Sequence, residues 1–279
     1  MPFDSYSTGQ AASPPRILSG MSSLHPAART LWPVRIWRLF RLLCHLLSGM
    51  LEIRRHFAKA SPQERQQRIQ RWSREMLQVM GIRLRIKGTP PLSPPPNTLW
   101  VSNHISWLDI FIINAMVPCR FVAKADVEGW PLVGWLCKHA GTLFIKRGDR
   151  RDMMRMNEDM TRLLQDGETL GFFPEGTTSD GTSVLPFTAS LLNAVTLSEG
   201  DLRPVALRYR TEDDQPSAAA TYIGETSLLQ SMWQLASAKI LVAELTLLPS
   251  MNAAHVNRRE LASQAHQQIR GVIERKPAA

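Results

Sequence analysis

The sequence is poor in cysteine, with three in 279 residues, Cys44, Cys119 and Cys137. They are too few and too scattered for a disulfide framework, and no pair has the CxxC spacing of a zinc site. A reduced, cytosol-facing compartment is therefore expected. There is no Gly-x-Ser-x-Gly nucleophile elbow and no internal repeat. Residues 1–20 lack the charged-then-apolar order of a secretory signal, so no export is expected. Their Ser, Gly and Pro content without periodicity predicts a disordered tail over residues 1–30. Acidic residues are scarce in one region. Residues 31–87 carry eleven Arg and two Lys against Glu52, Glu64 and Glu75, a surplus of ten, whereas the whole chain is +9. The basic character therefore belongs to an N-terminal arm on a nearly neutral body.

What is present is a globular composition, 44% hydrophobic and 20% charged, with length enough for one large α/β domain or two small ones. A basic arm suits nucleic acid or an anionic membrane, and its pattern discriminates between them. In Leu31–Phe57, Arg35, Arg38 and Arg41 recur every third residue along one side of a helix. Trp37, Phe40, Leu43, Leu46 and Leu47 supply apolar bulk. Leucines and aromatics opposite arginines describe a helix lying in a lipid interface. A nucleic-acid binder would place exposed aromatics between its cations. The stretch Ile36–Ile53 approaches a bilayer's thickness, but two arginines, His45 and Glu52 make it a poor membrane span. Monotopic insertion, a single span and an ordinary packed helix are the three readings, the first favoured.

A second amphipathic helix is predicted over Pro62–Met80, capped by Ser61 with Pro62 at its first position. Ile69, Trp72, Met76 and Val79 form its apolar face, and Arg65, Arg68, Arg71 and Arg74 a basic one, either solvated or set against lipid headgroups. Residues 31–80 thus form a membrane-associating helical hairpin, and residues 81–279 the main domain.

Beyond it the period changes. Ile82, Leu84 and Ile86 alternate with basic residues as in a half-buried strand, and the proline-rich 89–97 breaks regular structure. Strands are then predicted at Thr98–Ser102, Arg120–Ala123, Thr142–Ile145, Thr169–Phe173, Arg203–Arg208, Thr221–Gly224 and Ile240–Leu247. Helices are predicted at about 107–117, 129–139, 151–166, 188–198, 227–236 and 256–275. This alternation predicts an α/β fold, a mixed and largely parallel sheet flanked by helices.

Chemistry gathers at the predicted strand ends, where open α/β sheets place their ligand crevices. His104 follows the strand Thr98–Ser102, and Asp109 lies five residues on. An aspartate bonded to one ring nitrogen fixes the tautomer and supports charge on the ring, leaving the other nitrogen to take a proton. A base without an enzyme nucleophile suggests direct attack by a substrate alcohol. Lys146, Arg147, Arg150 and Arg151 follow another strand and suit a phosphate or carboxylate. In Phe172–Thr178, Gly176 opens backbone N–H groups to a ligand, Thr177 and Thr178 add hydroxyls, and Glu175 suits the arginine cluster or a ligand hydroxyl. Pro204 opens a further strand and shapes a pocket wall.

Together, "NHISWLD", "FIKRGD", "FFPEGTTS" and "LRPVAL" resemble, in this order, the four sequence blocks of the glycerolipid acyltransferase family, the PlsC or lysophosphatidate acyltransferase type. The likeness covers roughly residues 80–210, with a membrane helix expected upstream. It implies transfer of a fatty acyl chain from acyl-CoA or acyl-carrier protein to a lysolipid hydroxyl. The foremost acceptor is 1-acylglycerol-3-phosphate, giving phosphatidic acid. His104 would be the general base, Asp109 its orienting partner, and Arg147 with Glu175 and Gly176 the holders of the acceptor headgroup. Lys146 and Thr177 lie within the same binding blocks. No metal or cofactor is implied, and no nucleic-acid partner. The expected place is the cytoplasmic face of the inner membrane, against anionic lipid. Where many members carry an arginine after Pro-Glu-Gly-Thr and a lysine and glycine in a following F-K-x-G segment, this chain has Thr178, and Thr188 and Ser190, so two cations are lost. That departure resembles the lyso-ornithine lipid acyltransferase branch, whose acceptor has no phosphate. A catalytically idle lipid-binding protein of the same fold is the remaining alternative.

Overall fold

In the computed structural model of this chain, the described residues are 29–146 and 148–275. The predicted tail therefore lies outside them except for its last two residues. Arg29 forms a bridge to Ala238, and the Thr30 N–H donates to the Ser237 carbonyl.

Helix α1 (Trp32–Glu52) has proline in its first turn and runs into a π-helical turn, Ile53–Phe57. Helix α2 (Pro62–Met80) starts at a capping box, Ser61 with Glu64, and stops at Gly81, whose φ of 73° few other residues adopt. The two helices form the predicted hairpin. His45 stacks on Trp72 at 4.5 Å between ring centroids. Its Nε2 donates to the Trp72 carbonyl, and the Trp72 indole donates to the His45 carbonyl. A Cβ at Gly49 would fall 2.6 Å from that indole nitrogen, so the close approach depends on glycine.

Several basic residues of the hairpin have partners within the protein. Arg35 donates to the Thr30 carbonyl, and Arg38 to the carbonyls of Ala236, Ala238 and Lys239. One of the three arginines expected to line a helix side, Arg38, thus anchors α1 to the end of a helix far along the chain, while Arg35 ties the helix to the segment just before it. Carbonyls at a helix end lack intrahelical donors, and a guanidinium supplies them. On α2, Arg68 and Arg71 pair with Glu52, and Arg74 donates to the Ala115 carbonyl. Arg71 and Arg74 are exposed while making these bonds, and Arg68 is half-buried.

The sheet contains β1 (Ile82–Lys87), β2 (Thr98–Ser102), β3 (Arg120–Lys124), β4 (Leu143–Ile145), β5 (Thr169–Phe172), β6 (Asp201–Arg210), β7 (Leu241–Leu247) and β8 (Met251–Asn252). Its order is β1-β7-β6-β2-β5-β3-β4, with β8 paired to β6. β6 runs antiparallel to β7 and β8, and every other pair is parallel. The mixed, largely parallel sheet is thus as the alternation predicts. Helices α3 (Asp109–Met116), α4 (Val133–His139), α5 (Arg150–Gln165), α6 (Asn193–Leu197), α7 (Leu228–Ser237) and α8 (Arg258–Ile273) complete the fold. One apolar cluster joins α2, α3 and the hairpin to β1, β6 and β7. A second lies beneath α5, α6 and α8.

Three predicted elements differ. Thr221–Gly224 is no strand. Its Tyr222 N–H donates to the Ile105 carbonyl and its Tyr222 carbonyl accepts from Thr178, so its partners are loops at the sheet's end rather than a strand edge. The helix expected over 188–198 is confined to Asn193–Leu197, because the N–H and hydroxyl of Thr188 both donate back to Pro174. The helix expected from 129 begins at Val133, after a 3₁₀ turn Ala125–Gly129. Pro131 separates the two, since it lacks an N–H and disfavours helical geometry before it.

Candidate active site

β2, β3 and β5 run parallel, so their C-terminal ends meet at one edge of the sheet. His104 follows β2, Lys124 closes β3, and Phe173 to Thr178 follow β5. The turn after β2 is fixed by one carboxylate. Asp109, fully buried at the start of α3, accepts at Oδ2 from the N–H groups of Ile105 and Ser106 at 2.7 and 2.9 Å. The same oxygen receives His104 Nδ1 at 2.8 Å. The predicted pair is therefore assembled locally: a carboxylate in the first helical turn faces the preceding N–H groups, and the imidazole joins them.

His104 lies flat on Phe173, ring centroids 4.0 Å apart and planes 9° apart. With Nδ1 held by Asp109, Nε2 is the nitrogen without a protein partner among the described residues. The ring lines a cavity of about 380 Å³ together with Trp107, Lys124, Asp126, Gly176 and Thr177. With Nδ1–H donating to Asp109, this arrangement can present an Nε2 lone pair to a ligand.

Glu175 has a main-chain partner that neither expected role included. It is buried behind the backbone, and its Oε1 accepts from the His104 N–H at 3.1 Å. It thus braces the histidine's main chain. Burial pushes its carboxyl up to about 8 from an ordinary 4.5, hydrogen bonds from the His104 and Leu185 N–H groups oppose this, and the charge of Asp109 adds to it. A folded chain that keeps this proton up to about 8 gains stability that is complete below 4.5 and lost as pH rises toward 8. Glu175→Gln should accordingly flatten the fall in Tm between about pH 5 and pH 8. An unchanged slope in thermal melts across that range would remove Glu175 as its source.

Gly176 has the positive φ, 72°, that the turn after Phe173 needs, and it lines the cavity with Thr177 and Thr178. The Thr178 hydroxyl is spent on the Tyr222 carbonyl, tying the 221–224 segment over the site. Lys146 is exposed and outside the cavity wall, its N–H donating to Asp152. Arg147 lies outside the described residues. Arg150 and Arg151 are exposed, and the start of α5 carries its own anion, Asp149, which accepts from the Arg151 and Asp152 N–H groups.

Sequence reasoning missed Lys124 and Asp126 in the wall, and Trp107, whose indole donates to Ser231 and brings α7 to the rim. No local pattern marks them, since β3 and α7 reach the site only through the fold. A second, apolar cavity of about 80 Å³ adjoins the first, shares Ile110, Phe111, Val133 and Cys137 with it, and extends between α1 and α2 to Trp72 and Ile69.

A family model described as Acyltransferase matches residues 83–208. The lyso-ornithine lipid O-acyltransferase of Pseudomonas aeruginosa is 35% identical over 80% of this chain and 85% of its own. The 1-acyl-sn-glycerol-3-phosphate acyltransferase of Neisseria meningitidis is 32% identical over 86% and 93%. The crystal structure of the 1-acyl-sn-glycerophosphate acyltransferase PlsC from Thermotoga maritima superposes with a TM-score of 0.66 at 18% identity, covering 87% of this chain and 94% of that one. That likeness shows a shared fold.

Proposed function

The chain belongs to the acyltransferase family, and we propose that it moves a fatty acyl group from a CoA or acyl-carrier-protein thioester to a lysolipid hydroxyl, with His104 as general base. The observation that carries the mechanism is the His104–Asp109 bond, which leaves Nε2 on the wall of the large cavity. Nε2 removes the proton as the acceptor's oxygen attacks the thioester carbonyl, and Asp109 supports the imidazolium. The tetrahedral oxyanion then collapses, the ester forms, the carbon–sulfur bond breaks, and the imidazolium returns its proton to the departing thiolate. The N–H groups of Thr177 and Thr178, at the cavity wall, are the oxyanion donors in this scheme. The adjoining apolar cavity takes acyl chain.

Substrate and product are both membrane lipids, and the surface supports a membrane partner. Ile36, Phe40, Leu43 and Leu47 lie along one exposed face of α1, opposite the buried Leu42, Leu46 and Gly49. Leu229 and Trp233 extend apolar surface onto α7, and Arg35 sits 5.5 Å over the Trp233 ring. Among the described residues no helix is long and apolar enough to cross a membrane. We place the hairpin in one leaflet, on the cytoplasmic face of the inner membrane. The exposed Arg54, Arg55 and Arg65 would meet anionic headgroups, each adding about 1 kcal/mol.

The foremost acceptor is 1-acylglycerol-3-phosphate, with Lys124 facing its phosphate. A second reading, lyso-ornithine lipid, is favoured by Thr178 and Thr188, whose hydroxyls bond to carbonyls rather than offering cations. Membranes containing the protein are given each acceptor in parallel, with labelled acyl-CoA or acyl-carrier protein. The expected result is transfer to lysophosphatidate. Transfer to lyso-ornithine lipid alone would replace it with the second reading, and transfer to neither would overturn both.

A further inference from the structure

The carboxylate of Asp109 is gripped from two directions. The imidazole and two backbone N–H groups occupy Oδ2, while Oδ1 has one partner, the hydroxyl of Tyr209 at 2.6 Å. Tyr209 is buried and stands one hundred residues further along the chain, on β6. Strand register brings it there. The β2–β6 ladder ends at Ser102 opposite Val205, and Asn103 prolongs it with its side chain. Its Nδ2 donates to the Leu207 carbonyl at 3.0 Å and its Oδ1 accepts from the Leu207 N–H at 2.8 Å. Tyr209, two residues on, points from the same strand face as Leu207. Its hydroxyl is held protonated by burial and by the adjacent carboxylate, well above the ordinary tyrosine range, and so remains a donor.

We propose that Tyr209 is a positioning residue of the acyl-transfer site, fixing the rotamer of Asp109 and setting how strongly the His104–Asp109 pair takes the acceptor's proton. The inference rests on the reading of His104 as base. Without Tyr209, Oδ1 is a buried, unpartnered anionic oxygen and the carboxylate is held through Oδ2 alone. The hydrogen bond also draws negative charge toward Oδ1, so the imidazolium is held less tightly and can return its proton to the leaving thiolate.

Tyr209→Phe removes the hydroxyl and keeps the ring. We expect kcat to fall about tenfold or more, KM for donor and acceptor to stay within about twofold, and the acid limb of kcat/KM to move up by about half a pH unit. The rise follows because a carboxylate relieved of one donor holds the imidazolium more firmly. A ring-fluorinated tyrosine at position 209, a stronger donor, should move the limb the other way. The other ionisable groups around the imidazole, Lys124, Asp126, Cys137, Tyr222 and Glu175, are unchanged in both variants. An unmoved limb with kcat within about twofold of the parent, or movement of both variants in one direction, would overturn the proposal. Should Tyr209→Phe melt as an unfolded chain, the fluorinated protein decides alone, and an unmoved limb there overturns it. His104→Ala in the same assay separates the two readings. Retained activity removes the base itself, whereas lost activity with unmoved Tyr209 profiles removes only this proposal.

Discussion

His104→Ala should lower acyl transfer by about two to four orders of magnitude, the range of a positioned general base, while leaving the protein folded. The expectation of an intact fold comes from the surroundings of the ring. The imidazole side chain is 17% exposed, so its loss opens the cavity rather than the core. Glu175 receives the backbone N–H of residue 104, which alanine keeps. Asp109 retains the Ile105, Ser106 and Tyr209 donors and is not left as an uncompensated buried charge. Radiolabelled transfer with matched melting curves is the measurement. Activity within about tenfold of the parent, in a protein of unchanged Tm, would end the general-base mechanism.

Introducing Phe40→Glu together with Leu47→Glu should release most of the protein from vesicles. Both residues are about half exposed, at 54% and 49%, and neither is among the buried residues of α1, so the changes fall on its open face. Each apolar side chain of this size contributes roughly 1.5–3 kcal/mol when fully buried in lipid. The new carboxylates add desolvation and repulsion from anionic headgroups. Partitioning should drop by about a hundredfold or more in flotation assays on anionic vesicles. Activity on an acceptor dispersed in detergent should fall much less. A double variant that floats with vesicles as the parent does would locate the attachment somewhere other than α1.

Much of the site was legible because its chemistry is local. His104 and Asp109 are five residues apart, and Asp109 meets two N–H groups within that same turn. A spacing in sequence therefore translates directly into a distance. The turn at Gly176 is local in the same way, and its backbone follows from glycine's tolerance of positive φ. Legibility failed where a residue's partner lay far along the chain. Arginines at every third position of α1 were expected to line one side of a helix lying in a lipid interface. Arg38 instead caps the end of α7, about two hundred residues away. The alternating Thr221–Gly224 looked like a strand, yet its hydrogen-bonding partners are the loops after β2 and β5. Glu175 invited a role toward ligand and arginines, and only the fold shows that its Oε1 takes the main-chain N–H of His104.

The sequence by itself determined most of the elements and the His104–Asp109 pair. Apolar runs, caps, proline breaks and the H-x4-D spacing act within a few residues, where backbone geometry leaves few alternatives. Only the tertiary structure decided which groups surround that pair. Tyr209 reaches Asp109 because β6 pairs with β2 in one register. Lys124 reaches the same cavity because β3 lies beside β5 in parallel. A one-residue slip in either pairing would turn those side chains to the opposite face. Strand order and register are set by the packing of the whole core.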